Sequence, residues 1–118
     1  YLQWVLHLAN TLQPAFRLWF YPHEGAGEAH ADATKALAQA RIEAVFDRLD
    51  AHLATRGPYL CGEQRSAADF LATMLMRWSR NMPKPATEWP ALAALAARMK
   101  ALPSFKTLYE REGLSEWA

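Results

Sequence analysis

Five polar side chains recur at steps of three or four residues near the start of this 118-residue chain: Gln3, His7, Asn10, Gln13 and Arg17. On a helix each residue advances ~100°, so the five share about a third of the circumference. The stripe is polar but almost uncharged, since Arg17 is the only formal charge between Tyr1 and His23. A helix facing bulk water usually carries more Lys and Glu. Two readings stay open: a central helix with satisfied polar groups, or a helix whose second face lines a cleft or a partner surface. The remaining inventory for chemistry is thin. The four histidines, at 7, 23, 30 and 52, never stand at i, i+4 with a second ligand, so no metal site is expected. No Gly-rich phosphate loop follows a strand. Cys61 adjoins Gly62 with no His nearby in sequence, and is expected to be a buried small hydrophobe.

The elements that must carry these residues read as helices. Residues 2–21 form the first, with an apolar stripe of Val5, Leu8, Ala9, Leu12, Phe16 and Trp19. Pro14 should bend it near Asn10, and Pro22 should end it. A loop over 23–31 leads to Asp32, a candidate N-cap, and to a helix running to about Thr55. Its core stripe is Ala38, Ile42, Val45, Phe46, Leu49 and Leu53. Arg41, Glu43, Asp47, Arg48 and Asp50 are read as a solvated charged face.

Arg56-Gly57-Pro58 closes that helix, and Tyr59-Leu60 drops two apolar side chains inward. Ser66-x-x-Asp69 then has the form of a capping box. The helix it opens, to about Asn81, holds Phe70, Leu71, Met74, Leu75 and Trp78, with few polar groups on any face. Such a helix belongs in the middle of a domain. Met82 to Pro85 is a rigid link. Further helices start at Glu88-Trp89-Pro90, with Leu92, Leu95, Ala96, Met99 and Leu102 apolar, and at Pro103-Ser104, with Phe105, Leu108 and Tyr109. Gly113 stops the last, leaving a tail over 114–118. No strand alternates convincingly. The expected fold is one all-α domain over residues 1–118, a bundle of about five helices with the Ser66 helix central, without repeats or low-complexity segments.

Thirteen basic and twelve acidic residues give a formal charge of +1, which leaves no electrostatic footprint for nucleic acid. A single Cys excludes a disulfide framework and fits a reducing compartment. No signal peptide is apparent, and every apolar run is broken well short of a membrane span. The sequence opens at Tyr1 already inside a helical pattern and is read as a fragment of a longer protein.

The string from Tyr59 to Trp78, aromatic-Leu-Cys-Gly, then Ser-x-Ala-Asp, then Arg-Trp, closely resembles the C-terminal helical domain of glutathione transferases, in particular the bacterial beta class. The likeness extends over Trp4, the segment Leu12-Gln-Pro-Ala-Phe16, the long helix, and Pro103 to Leu114. It implies a missing N-terminal thioredoxin-like domain that binds glutathione, a small hydrophobic electrophile as co-substrate, a homodimer, and a cytoplasmic enzyme. It implies neither a membrane nor a nucleic-acid partner, and no metal. Ser66 and Asp69 match the structural capping pair. Arg65 stands where many relatives carry an apolar residue that staples the helix start.

Phe16 and Trp78 match aromatic positions of the co-substrate pocket, with core packing as the alternative for each. Gln13 falls where beta-class enzymes carry a His that reaches toward the glutathione sulfur, and Leu6 where they carry an Asn that contacts glutathione across the dimer. Gln13 can donate to a thiolate but cannot titrate near pH 7. The expected co-substrate and glutathione contacts are therefore Asn10, Gln13, Phe16, Arg17 and Trp78. No catalytic residue is expected among residues 1–118, because the activating Tyr, Ser or Cys lies in the other domain. The fragment alone should be inactive. The competing reading is a non-catalytic interaction module of the same fold.

Overall fold

The computed structural model describes residues 1–114 and Trp117. Its first helix is a single rod in three segments: α1 (Leu2–His7), a π segment (Leu8–Leu12) and α2 (Gln13–Phe20). Pro14 accounts for the middle one. A proline ring clashes with the carbonyl four residues back, and it has no N–H to offer that carbonyl. Widening the preceding turn moves the carbonyl away, and the Gln13 N–H reaches back five residues to the Leu8 oxygen. The bend expected near Asn10 is thus realised as a π bulge.

Beyond Tyr21 the expected plain loop contains two short turns, α3 (His23–Ala26) and a 3₁₀ turn (Glu28–His30). The long helix α4 (Ala31–Arg56) starts slightly earlier than expected. His30 occupies its N-cap, and Asp32 sits in the first turn, where a carboxylate suits the helix dipole. The buried stripe of α4 is the expected one: Ala38, Ile42, Val45, Phe46, Leu49 and Leu53. This helix is the spine of the domain, with α2 along one side and α6 (Pro90–Lys100) along another.

Two acids expected in the solvated face of α4 instead fasten α6. The Asp50 carboxylate accepts from the Ala91 N–H at 2.7 Å and the Leu92 N–H at 3.2 Å. Those are the first free donors of α6, because Pro90 at the head of the helix has none. One turn earlier, Asp47 accepts from the Trp89 indole at 2.7 Å, and the Trp89 ring packs edge-on against Phe46.

Gly57 ends α4 where a side chain would not fit: a Cβ there would collide with the Leu53 carbonyl oxygen. Leu60 is then buried as expected, and its carbonyl accepts from His52 Nε2 at 2.7 Å. Helix α5 (Ala67–Trp78) stops short of Asn81. The buried Ser79 hydroxyl donates to the Met76 carbonyl at 2.6 Å and accepts from the Ala86 N–H at 2.8 Å, folding the link back over the helix end. A 3₁₀ turn (Ala86–Glu88), α6 and α7 (Pro103–Glu112) complete the chain. At its end Gly113 adopts φ 64°, and the Leu114 N–H bonds the Tyr109 carbonyl at 2.9 Å. This left-handed closure favours glycine.

The first helix, α4, α5 and α6 each place fully buried side chains in one apolar cluster, among them Leu8, Phe16, Phe46, Leu75, Met76 and Leu95. The expectation for the Ser66 helix needs correcting. α5 is not enclosed on all sides. Its inner face is Ala68, Asp69, Ala72, Thr73, Leu75 and Met76, while Phe70 and Met74 stay 46% and 41% exposed. Ala68, Ala72 and Thr73 let α5 sit close to its neighbours, Leu75 and Met76 fill the core, and Phe70 and Met74 turn outward.

Candidate functional site

The outward side chains of α5 form one wall of a pocket. Phe70, Met74 and Trp78, at helical spacing, face Phe105, Leu108 and Tyr109 of α7 across a cavity of about 330 Å³. Thr73 and Met99 lie between the walls, and Leu114 closes one end. The surface is overwhelmingly apolar. The Thr73 hydroxyl is engaged by the Asp69 carbonyl at 2.7 Å. The polar exception is Arg77, whose Nε donates to the Tyr109 hydroxyl at 3.0 Å while its guanidinium lies 5.8 Å from that ring's centre. That bond fixes a cation at the edge of an apolar chamber. Such a chamber takes up a small aromatic molecule, and the guanidinium can orient a nitro, carbonyl or carboxylate substituent on it.

Both halves of the capping box that starts α5 are present, but unequally strong. Asp69 is fully buried. One carboxylate oxygen accepts from the Ser66 N–H at 2.8 Å, and the other reaches across the loop to the Leu60 N–H at 2.9 Å. The Ser66 hydroxyl is looser, 3.5 Å from the carboxylate and 3.6 Å from Cys61 Sγ. Cys61 itself is exposed, which corrects the expectation of a buried hydrophobe. Gly62 turns the loop back on Tyr59; of the two side chains between them Leu60 goes inside and Cys61 stays outside. Phe70 is exposed as well, so it provides no buried partner for a staple with Arg65.

Of the residues expected to contact substrate, Trp78 lines the pocket. Phe16 is fully buried behind it, its ring edge-on to Trp78 at 5.8 Å between centres. Phe16 therefore sets the tilt of the Trp78 ring and is itself core. Asn10, Gln13 and Arg17 are not among the residues lining this cavity. Asn10 is exposed and Gln13 half-buried. Arg17 makes a two-point pair with Glu24, at 2.9 and 2.8 Å, on an exposed surface, and lies over the Tyr21 ring at 4.3 Å. His7 leaves the stripe for a separate cleft against α4, where its pKa falls below the usual value through burial first and the positive charge of Arg48 second.

Apolar periodicity picks out Phe70, Met74 and Leu108 but not their place in a pocket, because each stripe is divided: Leu75 and Tyr109 turn inward while these three stay exposed. The signal available was Ala68, Ala72 and Thr73 on the opposite side of α5, small enough for close helix packing. Among the described residues no three His, Cys, Asp or Glu side chains come together as a metal site, and no helix is long and apolar enough to cross a membrane.

The family model described as "Glutathione S-transferase, C-terminal domain" matches residues 9–112. The chain belongs to that family, and the helical architecture, without a strand among the described residues, agrees with the membership. No curated protein matches it.

Proposed function

We propose that this domain is the co-substrate half of a glutathione transferase, of the bacterial beta-like kind, which conjugates glutathione to small hydrophobic electrophiles. The observation that carries the reading is the apolar chamber between α5 and α7, with Trp78 on its wall and the Arg77–Tyr109 pair at its edge. In this reading a thioredoxin-like domain of the same protein holds glutathione and activates its thiol. The helical domain holds the electrophile, and the enzyme works as a cytoplasmic homodimer. The division follows from the lining, which offers apolar contact and one oriented cation but no paired nucleophile and base. In this reading Asn10, Gln13 and Arg17 act at the glutathione side and not within this chamber.

The test is the conjugation rate with a chloronitrobenzene, measured on the full-length protein and on residues 1–118. Turnover is expected only from the former. Leu108→Arg, which puts a hydrated charge at the half-exposed pocket rim, should raise KM severalfold, because the electrophile then loses apolar surface to pack against. Unchanged KM would remove the chamber from the reaction. A second reading, in which the groove seats a protein segment, is favoured by its open rim, where Phe70, Met74 and Leu108 are 41–49% exposed. Saturable quenching of tryptophan fluorescence by the electrophile, lost in Trp78→Leu, separates the two.

A further inference from the structure

The cleft between the first helix and α4 is built differently from the apolar pocket. His7 and Thr11 line one side, and Arg41, Ala44, Val45 and Arg48 the other, around a cavity of about 340 Å³. Arg41 and Arg48 are two turns apart on one face of α4, with the small Ala44 between them. The only ion pair among the described residues is Arg17–Glu24, so neither guanidinium of the cleft is in one. Asp32 sits in the first turn of α4, and the other three acids of that helix are engaged elsewhere. Asp47 holds Trp89, Asp50 caps α6, and Glu43 accepts from Gln39 at 3.0 Å. His7 adds a second anomaly: its Nε2 is sealed from solvent and has no hydrogen-bond partner. Trp4 packs edge-on against the imidazole at 6.1 Å and brings no charge.

We propose that this cleft binds a small oxyanion, a phosphate or sulfate group, with Arg41 and Arg48 as the charged forks, Thr11 as a hydroxyl donor and His7 as part of the wall. Guanidinium groups match tetrahedral oxyanions in two-point geometry. Two cations without a counter-charge, beside the Thr11 hydroxyl, leave donor capacity that an oxyanion satisfies at once. The cavity is many times the ~30 Å³ of a water molecule, so it has room for an organic group attached to the anion. Burial is the main cause of the lowered His7 pKa, and the Arg48 charge adds to it.

The test is a titration of the protein with sodium sulfate against sodium chloride at equal ionic strength, following the His7 ring resonances. Sulfate should shift them saturably and chloride should not. Arg48→Gln and Arg41→Gln should each weaken sulfate binding about tenfold, since each removes a charge-assisted contact to the anion. Lys35→Gln, which removes a cation placed over the Trp19 ring instead, should leave binding unchanged. Sulfate remains a dianion between pH 5 and 8, so tighter binding at the acid end would report His7 joining as a cation. Phenyl phosphate binding more tightly than inorganic phosphate would assign the site to an organic phosphate, and equal affinity to the free anion. The proposal falls if chloride reproduces the sulfate shift, or if Lys35→Gln weakens binding as much as Arg48→Gln.

Discussion

Asp69 has no exposed surface and no cationic partner among the described residues, and it holds two backbone N–H groups from opposite ends of one loop. Asp69→Ala would strand both donors. The expected loss is about 3 kcal/mol in a urea melt, and Ser66→Ala should lose no more than about 1 kcal/mol. Equal midpoint shifts would contradict the unequal cap. The pair itself is visible in the sequence as Ser-x-x-Asp. The reach to Leu60 is not, because it depends on a loop whose path no local pattern specifies. His7 carries a pH dependence whose sign is fixed. Its folded pKa lies below the ordinary 6.5, so the unfolded chain binds the proton first as pH falls. Stability from His7 is therefore present above pH 6.5 and lost as the pH drops from there toward the lower folded value. His7→Gln should flatten that limb in thermal melts between pH 7 and 5. A limb unchanged by the substitution would place the proton elsewhere.

At the scale of elements, the junction of α4 with α6 is the most specific contact. Asp50→Ala removes the acceptor for two N-terminal donors of α6 and should cost about 1–2 kcal/mol, as lost helix caps do. Asp50→Asn should recover part of this, and an Asp50→Ala midpoint equal to wild type would show that water replaces the carboxylate. Helix existence and the apolar stripe of α4 were legible, since six buried residues at helical spacing leave one solution. The Asp47 and Asp50 roles were not, because an acid that caps a neighbouring helix looks the same in sequence as one in water. On α5 the large apolar residues suggested an inner face. Packing instead divided them: Leu75 lies inside with Met76 and the small residues, while Phe70 and Met74 face out and wall the pocket.

Across the whole molecule, the two cavities draw on separate elements, α5 with α7 and the first helix with α4, and share no lining residue. Ligands for them should stabilise the protein independently. A hydrophobic aromatic and sulfate, each at ten times its Kd, should each add about 1.4 kcal/mol, and the increments should sum. A combined shift well below the sum would reveal coupling through the shared core. The π segment has a consequence for how this domain tolerates change. It acts as a phase shifter: one additional residue rotates the α1 half of the rod by ~100° relative to the α2 half. The α1 half lies against α5 and the α2 half against α4, so each meets its own neighbour in register. Substitutions along residues 8–12 alter single contacts, whereas removing one residue dephases a whole half of the rod and drives the Pro14 ring back onto a carbonyl. A length change here should therefore be far less tolerable than almost any exchange of side chain.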